Sequence, residues 1–89
     1  MTVELLDFWA EWCGPCRVMA SVIDEVEKEF KDKITLQKIN VDEDEKTATK
    51  YNVLSIPTYI ILKNGKEVER VVGAVSKETI EEKINKNLA

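Results

Sequence analysis

The sequence has 89 residues, a length that fits one small domain. Hydrophobic residues make up 44% and charged residues 34%, which excludes a disordered chain, and the net charge of −4 with scattered basic residues argues against nucleic-acid binding. No apolar run reaches the roughly 20 residues that span a bilayer, and the first residues lack a signal-peptide layout, so we expect a cytoplasmic protein without a membrane segment.

The first two predicted elements flank a pair of cysteines. Residues 3–10 are mostly apolar on both alternating faces, which is typical of a strand at the centre of an α/β sheet. A long helix is predicted to begin within the Cys-x-x-Cys segment. Pro15 fits its first turn, because the N–H that proline lacks would have no hydrogen-bond partner within the helix there. The predicted buried face of this helix consists of Val18, Met19, Val22, Ile23, Val26 and Phe30.

A second strand and a short helix are predicted next. Residues 34–41 alternate in the manner of a strand. Asp42 or Glu43 is placed to begin a short helix that runs to Lys50, and Asn52 is suited to end it in the left-handed conformation. The acidic run at the start of this helix supplies negative charge near its N-terminus.

The last third of the chain predicts a hairpin and a helix. Strand-like residues 58–62 and 68–72 flank Asn64-Gly65, the pair preferred in the type I′ turn that joins antiparallel strands. Ser76 is the predicted N-cap of the last helix. The inner face of that helix consists of Ile80, Ile84 and Leu88.

The predicted order is therefore β-α-β-α-β-β-α, in a single domain over residues 1–89. Because a β-α-β crossover is right-handed and joins parallel strands, the first two strands are expected to be parallel neighbours. The expected fold is an α/β fold with a mixed four-stranded sheet and helices on both faces.

The histidine and cysteine content limits the chemistry. The chain has no histidine, which excludes Ser-His or Cys-His nucleophiles and His-ligated metals. It has only two cysteines, Cys13 and Cys16, so one chain cannot build a four-cysteine zinc or iron–sulfur site. We expect no metal and no cofactor. A Cys-x-x-Cys pair in a small intracellular protein points to dithiol redox chemistry.

Cys13 is predicted to lie at or just before the first turn of the long helix. Unpaired N–H groups and the positive end of the helix dipole favour its thiolate, which is the attacking species in disulfide exchange. Cys16 lies one turn further on, close enough to close a disulfide, and is expected to be more buried than Cys13. The alternative is an inert structural disulfide, but its short loop contributes little stability.

Asp7 interrupts an otherwise apolar strand. Burying a carboxylate is costly, and desolvation raises its pKa towards the range of a proton carrier. We assign Asp7 as the group that takes the proton from Cys16; the alternative is a side chain that escapes to solvent at a sheet edge. Lys38, on the neighbouring strand, is positioned to lie beside Asp7 and offset its burial, unless it is simply an edge lysine directed to solvent.

Residues 7–16, DFWAEWCGPC, resemble the active-site segment of the thioredoxin family, and residues 56–58 resemble its cis-proline loop. Residues 63–65 and 72–74 match the family as well, so the resemblance extends over essentially the whole chain. The layout is similar to short archaeal and glutaredoxin-like members, which lack the strand and helix that precede this segment in full-length ones. The family's helix proline is replaced by Ser21, so we do not transfer a redox potential.

The resemblance implies a role for each matched residue. Cys13 is the exposed nucleophile, Cys16 the resolving thiol and Asp7 the acid that assists it. A cis bond before Pro57 leaves Ile56 free to pair with the backbone of a substrate. The residues implied or assigned to modulate the pair are Gly14, Pro15, Lys38 and Pro57. The implied substrate surface consists of Trp12, Gly14, Ile56, Pro57, Gly73 and Ala74.

The implied function is a protein-disulfide reductase and electron carrier of the thioredoxin type. Its partners are disulfide-containing proteins and a thioredoxin reductase, and we expect it to act as a monomer. Within the family, Gly14-Pro15 between the cysteines is associated with reductants. Two alternatives stay open: a glutaredoxin-like protein reduced by glutathione, and a non-catalytic binding module with a thioredoxin fold.

Overall fold

A computed structural model describes residues 2–88 and shows four strands and three helices there. These elements are β1 (Val3–Trp9), α1 (Gly14–Glu29), β2 (Thr35–Asn40), α2 (Glu45–Lys50), β3 (Thr58–Lys63), β4 (Lys66–Val72) and α3 (Lys77–Leu88). The order β-α-β-α-β-β-α is as predicted, and the strand limits differ from the predicted ones by one or two residues.

The four strands form one mixed sheet in the order β2-β1-β3-β4. β1 is central and runs parallel to β2, as the predicted crossover requires, and it also pairs with β3 in the antiparallel direction. The hairpin from β3 to β4 turns through Asn64 and Gly65, whose φ angles of 54° and 82° are both positive. Positive φ at both central residues is the requirement of a type I′ turn, and it explains this residue pair.

Helices cover both faces of the sheet, as predicted. α1 and α3 pack on one face against side chains such as Leu5 and Ile61, while α2 and the loop after it cover the other face near Phe8 and Ile60. β1 is therefore buried on both sides, which explains its nearly continuous apolar sequence. Each helix within residues 2–88 falls short of the length and apolar character that crossing a membrane requires.

The start of α2 was predicted at Asp42 or Glu43, and this is wrong. The helix begins at Glu45, with Asp44 as its N-cap. The Asp44 carboxylate accepts hydrogen bonds from the Thr47 N–H at 3.1 Å and from the Thr47 hydroxyl at 2.7 Å. The first bond satisfies an unpaired helix N–H, and the two bonds together select this carboxylate within the acidic run.

The other helix signals are largely confirmed. Asn52 has a φ of 54°, the left-handed conformation expected just beyond α2. The Ser76 hydroxyl accepts a hydrogen bond from the Thr79 N–H at 3.2 Å, as an N-cap does. The prediction that Val18 belongs to the buried face is wrong, because this residue is 70% exposed. The buried stripe of α1 instead passes through Cys16, Met19, Ile23 and Val26.

We expect Ile84→Ala to lower the free energy of unfolding by about 2–5 kcal/mol, because Ile84 is fully buried and its truncation leaves a cavity. Val18→Ala is the matched control, and its effect should stay within about 0.5 kcal/mol because that side chain is exposed. Chemical denaturation of the oxidised protein measures both changes. Equal losses in the two variants would contradict the assignment of these two helix faces.

Candidate active site

Cys13 occupies the N-cap position of α1. Its backbone is extended, with φ −84° and ψ 108°, and its Sγ accepts a hydrogen bond from the Cys16 N–H at 3.2 Å. Its own N–H donates to the Ala10 carbonyl at 3.2 Å, which closes the turn between β1 and α1. Pro15 lies in the first turn of the helix, as predicted. The sulfur therefore lies where the helix presents unpaired N–H donors and the positive end of its dipole.

Cys13 and Cys16 are joined by a disulfide, and their Cα atoms are 5.2 Å apart. The expected contrast in exposure is absent from this oxidised form, since Cys13 is 4% exposed and Cys16 is 7% exposed. The two residues form a small buried cluster with Ala10, and the partly buried side chains of Val41 and Ile56 pack against it. Burial therefore does not distinguish Cys13 from Cys16 in this form.

Asp7 is buried in the central strand, with 7% of its surface exposed. The alternative of a side chain that escapes to solvent is therefore wrong. Its partners across the sheet are Lys38 on β2 and Tyr59 on β3. Burial raises the pKa of Asp7 to about 6, and the positive charge of Lys38 opposes this rise. Burial and the charge of Asp7 also raise the pKa of Tyr59.

A cavity of about 150 Å³ brings Asp7 and Cys16 to the same space. Its lining consists of Asp7, Trp9, Cys16, Ala20, Ile23 and Lys38. Asp7 and Cys16 therefore border one space that is larger than a water molecule needs. The Lys38 ammonium also lies 3.2 Å from Asp24 Oδ1, and both of these side chains are about half exposed. Lys38 thus lies beside Asp7, as expected, while its charge is shared with a second carboxylate.

The loop before β3 and the loop after β4 lie side by side next to the cysteines. The Ile56–Pro57 peptide bond is cis. The Gly73 N–H donates to the Pro57 carbonyl at 2.8 Å, which joins the two loops, and Ala74 is exposed beside them. The N–H and C=O of Ile56 make no hydrogen bond with any part of residues 2–88. Together with the exposed Trp12, Gly14 and Pro15, these loops form an open surface around the disulfide.

Two contacts that the sequence did not reveal hold the turn before the cysteines. The Trp12 Nε1–H donates to Asp42 Oδ2 at 2.8 Å. The Arg17 guanidinium donates to the Glu11 carbonyl from Nε at 3.0 Å and from a terminal nitrogen at 2.7 Å. In the sequence Asp42 is one of four consecutive acidic residues, and nothing marks it as the partner of an indole 30 positions away.

Cysteine, aspartate and glutamate side chains form no cluster of three or more suited to a metal ion anywhere in residues 2–88. The functional groups that do converge are a disulfide at a helix N-terminus, a buried carboxylate that shares a cavity with one of its sulfurs, and a cis-proline loop beside them. This combination defines a dithiol–disulfide centre.

Comparison with known proteins agrees with this class. The Thioredoxin family model matches residues 2–86. The thioredoxin of Bacillus subtilis is 51% identical over 86 residues, which cover 97% of this chain and 83% of that protein. A chloroplastic M-type thioredoxin of Pisum sativum is 53% identical over 85 residues, which cover 96% of this chain. The chain belongs to the thioredoxin family.

The structural comparison gives the same result. An X-ray structure of Fasciola hepatica thioredoxin has a TM-score of 0.89 and 37% sequence identity, over 97% of this chain and 81% of that one. The chain spans 49% of the length of the Pisum sativum protein, about half. These findings confirm the predicted fold and the prediction of a thioredoxin-type redox cysteine pair.

We expect Asp7→Asn to raise the free energy of unfolding at pH 8 by up to about 3 kcal/mol, since the pKa is raised to about 6 and each pKa unit corresponds to about 1.4 kcal/mol. A raised carboxyl pKa means that the folded protein holds its proton more tightly than the unfolded chain. Stability of the wild type therefore falls as the pH rises from about 4 to about 6.

Denaturation of the oxidised proteins at pH 4, 6 and 8 measures this effect. The advantage of Asp7→Asn should shrink towards zero at pH 4, where the wild-type carboxyl is also neutral. Asp32→Asn, which removes an exposed carboxylate, is the control and should show no such trend. An advantage of the same size at pH 4 and pH 8 would show that packing, rather than titration, is the cause.

Proposed function

We propose that this protein is a thioredoxin-type protein-disulfide reductase, in which Cys13 is the nucleophile, Cys16 the resolving thiol and Asp7 the proton acceptor. The observation that carries the proposal is the Cys13–Cys16 disulfide at the N-terminus of α1, with Cys16 and the buried Asp7 on one cavity. A purely structural disulfide would need neither the buried carboxylate nor the open surface around it.

The first step is attack by the Cys13 thiolate on a substrate disulfide. A bond forms between Cys13 Sγ and one substrate sulfur, the substrate S–S bond breaks, and the other substrate sulfur leaves as a thiolate. The free N–H groups of the first turn and the helix dipole stabilise the negative charge on Cys13 before attack. The product of this step is a mixed disulfide between the protein and its substrate.

The second step releases the substrate. The Cys16 thiol transfers its proton to the Asp7 carboxylate across the shared cavity, and the resulting thiolate attacks Cys13 Sγ. The Cys13–Cys16 disulfide forms, the bond between Cys13 Sγ and the substrate sulfur breaks, and that sulfur leaves as a thiolate. Two electrons have then passed from the protein to the substrate. A pKa of about 6 suits Asp7 to accept a proton near neutral pH and to release it later.

The surface around the disulfide is suited to an extended substrate peptide. The unpaired N–H and C=O of Ile56 offer a short β-type pairing next to the sulfur. Trp12, Gly73 and Ala74 supply the rest of this surface, while the side chain of Pro57, which was predicted to belong to it, is buried beneath. Gly14 and Pro15 are exposed between the two cysteines, where they shape the approach to the sulfurs, and Lys38 moderates the charge of Asp7.

A dithiol reductant needs a two-electron donor, and we propose a thioredoxin reductase for this role. The protein is proposed to work as a single-domain monomer, because both cysteines, Asp7 and the cis-proline loop all come from one chain. The cytoplasm is the proposed location, since reduced dithiols are maintained in that compartment. Light scattering of the reduced protein and thiol trapping in intact cells test these two statements.

We expect the reduced wild type to catalyse reduction of insulin disulfides, and Cys13→Ser to abolish this activity. Cys16→Ser should instead accumulate a mixed disulfide with the substrate, because Cys13 can attack but nothing displaces the product. Turbidity and non-reducing electrophoresis measure the two outcomes. Activity retained in Cys13→Ser would end the proposal, whereas turnover driven by glutathione as fast as by a thioredoxin reductase would make the protein glutaredoxin-like.

We expect Asp7→Asn to slow release of substrate from the mixed disulfide at pH 7 by at least about tenfold, the lower range of general-base effects. Attack by Cys13 should change less, because Asp7 shares its cavity with Cys16. Rapid-mixing kinetics with a fluorescent disulfide peptide separate the two steps. Asp32→Asn is the control, and equal slowing of both steps in Asp7→Asn would argue against proton transfer to Asp7.

A further inference from the structure

Leu54 is an exposed apolar residue in the loop before β3, two positions before Ile56. Its side chain is 95% exposed, more than that of any other large exposed apolar residue in residues 2–88. Single exposed leucines are common on protein surfaces, so exposure by itself assigns no role. The position of this leucine and the rigidity of its loop are what distinguish it.

Leu54 borders an open groove of about 390 Å³. The groove is lined by Trp12, Val41, Val53, Leu54, Ser55 and Ile56, none of which is charged. Val41 and Ile56 also pack against the buried cluster that contains Cys13 and Cys16. The groove is therefore continuous with the disulfide and with the surface proposed to receive substrates.

The loop that carries Leu54 is tethered on both sides of it. The Val53 N–H donates to the Ala48 carbonyl at 2.9 Å, and the Thr58 hydroxyl donates to the Ser55 carbonyl at 2.6 Å. Further back, the Arg70 guanidinium donates to the Tyr51 carbonyl. The leucine is thus presented to solvent by a fixed backbone, so binding a partner there requires little ordering of the loop.

The opposite side of Trp12 has a different character. There the indole borders a second open space whose lining includes the carboxylates of Glu11, Asp42 and Glu43 and the guanidinium of Arg17. The two sides of Trp12 therefore offer one apolar and one charged surface. A side chain that binds on the Leu54 side gains binding free energy by burying apolar area. A charged group there would lose its hydration without finding a partner of opposite charge.

We propose that Leu54 is a specificity-determining residue, which with Trp12 receives a large apolar side chain from the substrate segment that carries the disulfide cysteine. The proposal rests on the proposed function, since it names a feature of the proteins that the site reduces. It predicts a preference among protein disulfides and no effect on the exchange chemistry itself.

The test uses pairs of disulfide peptides that differ only by leucine or serine beside the cysteine, with the variable residue before it in one pair and after it in the other. For at least one pair, the wild type should reduce the leucine peptide with a kcat/KM about fivefold higher, as partial burial of a leucine in an open groove implies. Leu54→Ala should lose this preference, and Leu54→Met should keep it.

Val68→Ala is the matched control, because it shortens another exposed apolar side chain on β4, four residues before Val72 and towards the hairpin turn. It should keep the wild-type preference. Reduction of bis(2-hydroxyethyl) disulfide should be equal in all four proteins, since this small compound has no side chain to place in the groove.

Three results would overturn the role of Leu54: no preference in the wild type with either pair, the same preference in Leu54→Ala, or equal slowing of every disulfide in Leu54→Ala. Failure of the proposed function has a different signature. In that case the wild type reduces neither the peptides nor the small disulfide, and the specificity proposal falls with it.

Discussion

The N-cap of α1 is a sulfur atom, and the chemistry of the site depends on that placement. Helix N-termini are usually capped by a hydroxyl, amide or carboxylate oxygen, which accepts from the unpaired N–H groups. Here Cys13 Sγ accepts from the Cys16 N–H at 3.2 Å. A thiol is a weak acceptor and a thiolate carries a charge that the helix N-terminus favours, so the cap is stronger when the sulfur is anionic. The interaction that begins the helix thereby also favours the thiolate, which is the state proposed to attack substrates.

The central position of β1 imposes the second constraint. A strand covered on both faces needs apolar side chains throughout, yet Asp7 is a carboxylate buried to 7% exposure. The neighbouring strands place Lys38 and Tyr59 beside it, and only Lys38 lowers its pKa. The carboxylate is therefore destabilising when charged, and the same burial gives it a pKa of about 6, which suits the proton transfer proposed for it. Stability opposes this proposed function, as it often does at buried functional groups.

The sequence predicted those parts of the structure that depend on local periodicity and turn chemistry. The order of elements, the turn at Asn64-Gly65 and the position of Cys13 at the helix start follow from patterns a few residues long. Val18 was misplaced because it borders the apolar stripe of α1, and periodicity does not show how wide a stripe the neighbours cover. The cap of α2 was misplaced because several adjacent carboxylates compete for one N–H, and only side-chain geometry selects Asp44.

Some residues of the site lie in one short segment, and the others come from segments that are distant in the sequence. Residues 7–16 contain both cysteines and the buried carboxylate, so the exchange chemistry is encoded in one short segment. The surface around it comes from residues 41–42, 53–57 and 72–74, which only the folded sheet brings together. Leu54 itself belongs to the groove and not to the cluster around the cysteines, so a change at this position leaves both sulfurs and Asp7 in their surroundings. In the proposed mechanism, selectivity is therefore set by the loops and reactivity by the helix N-terminus.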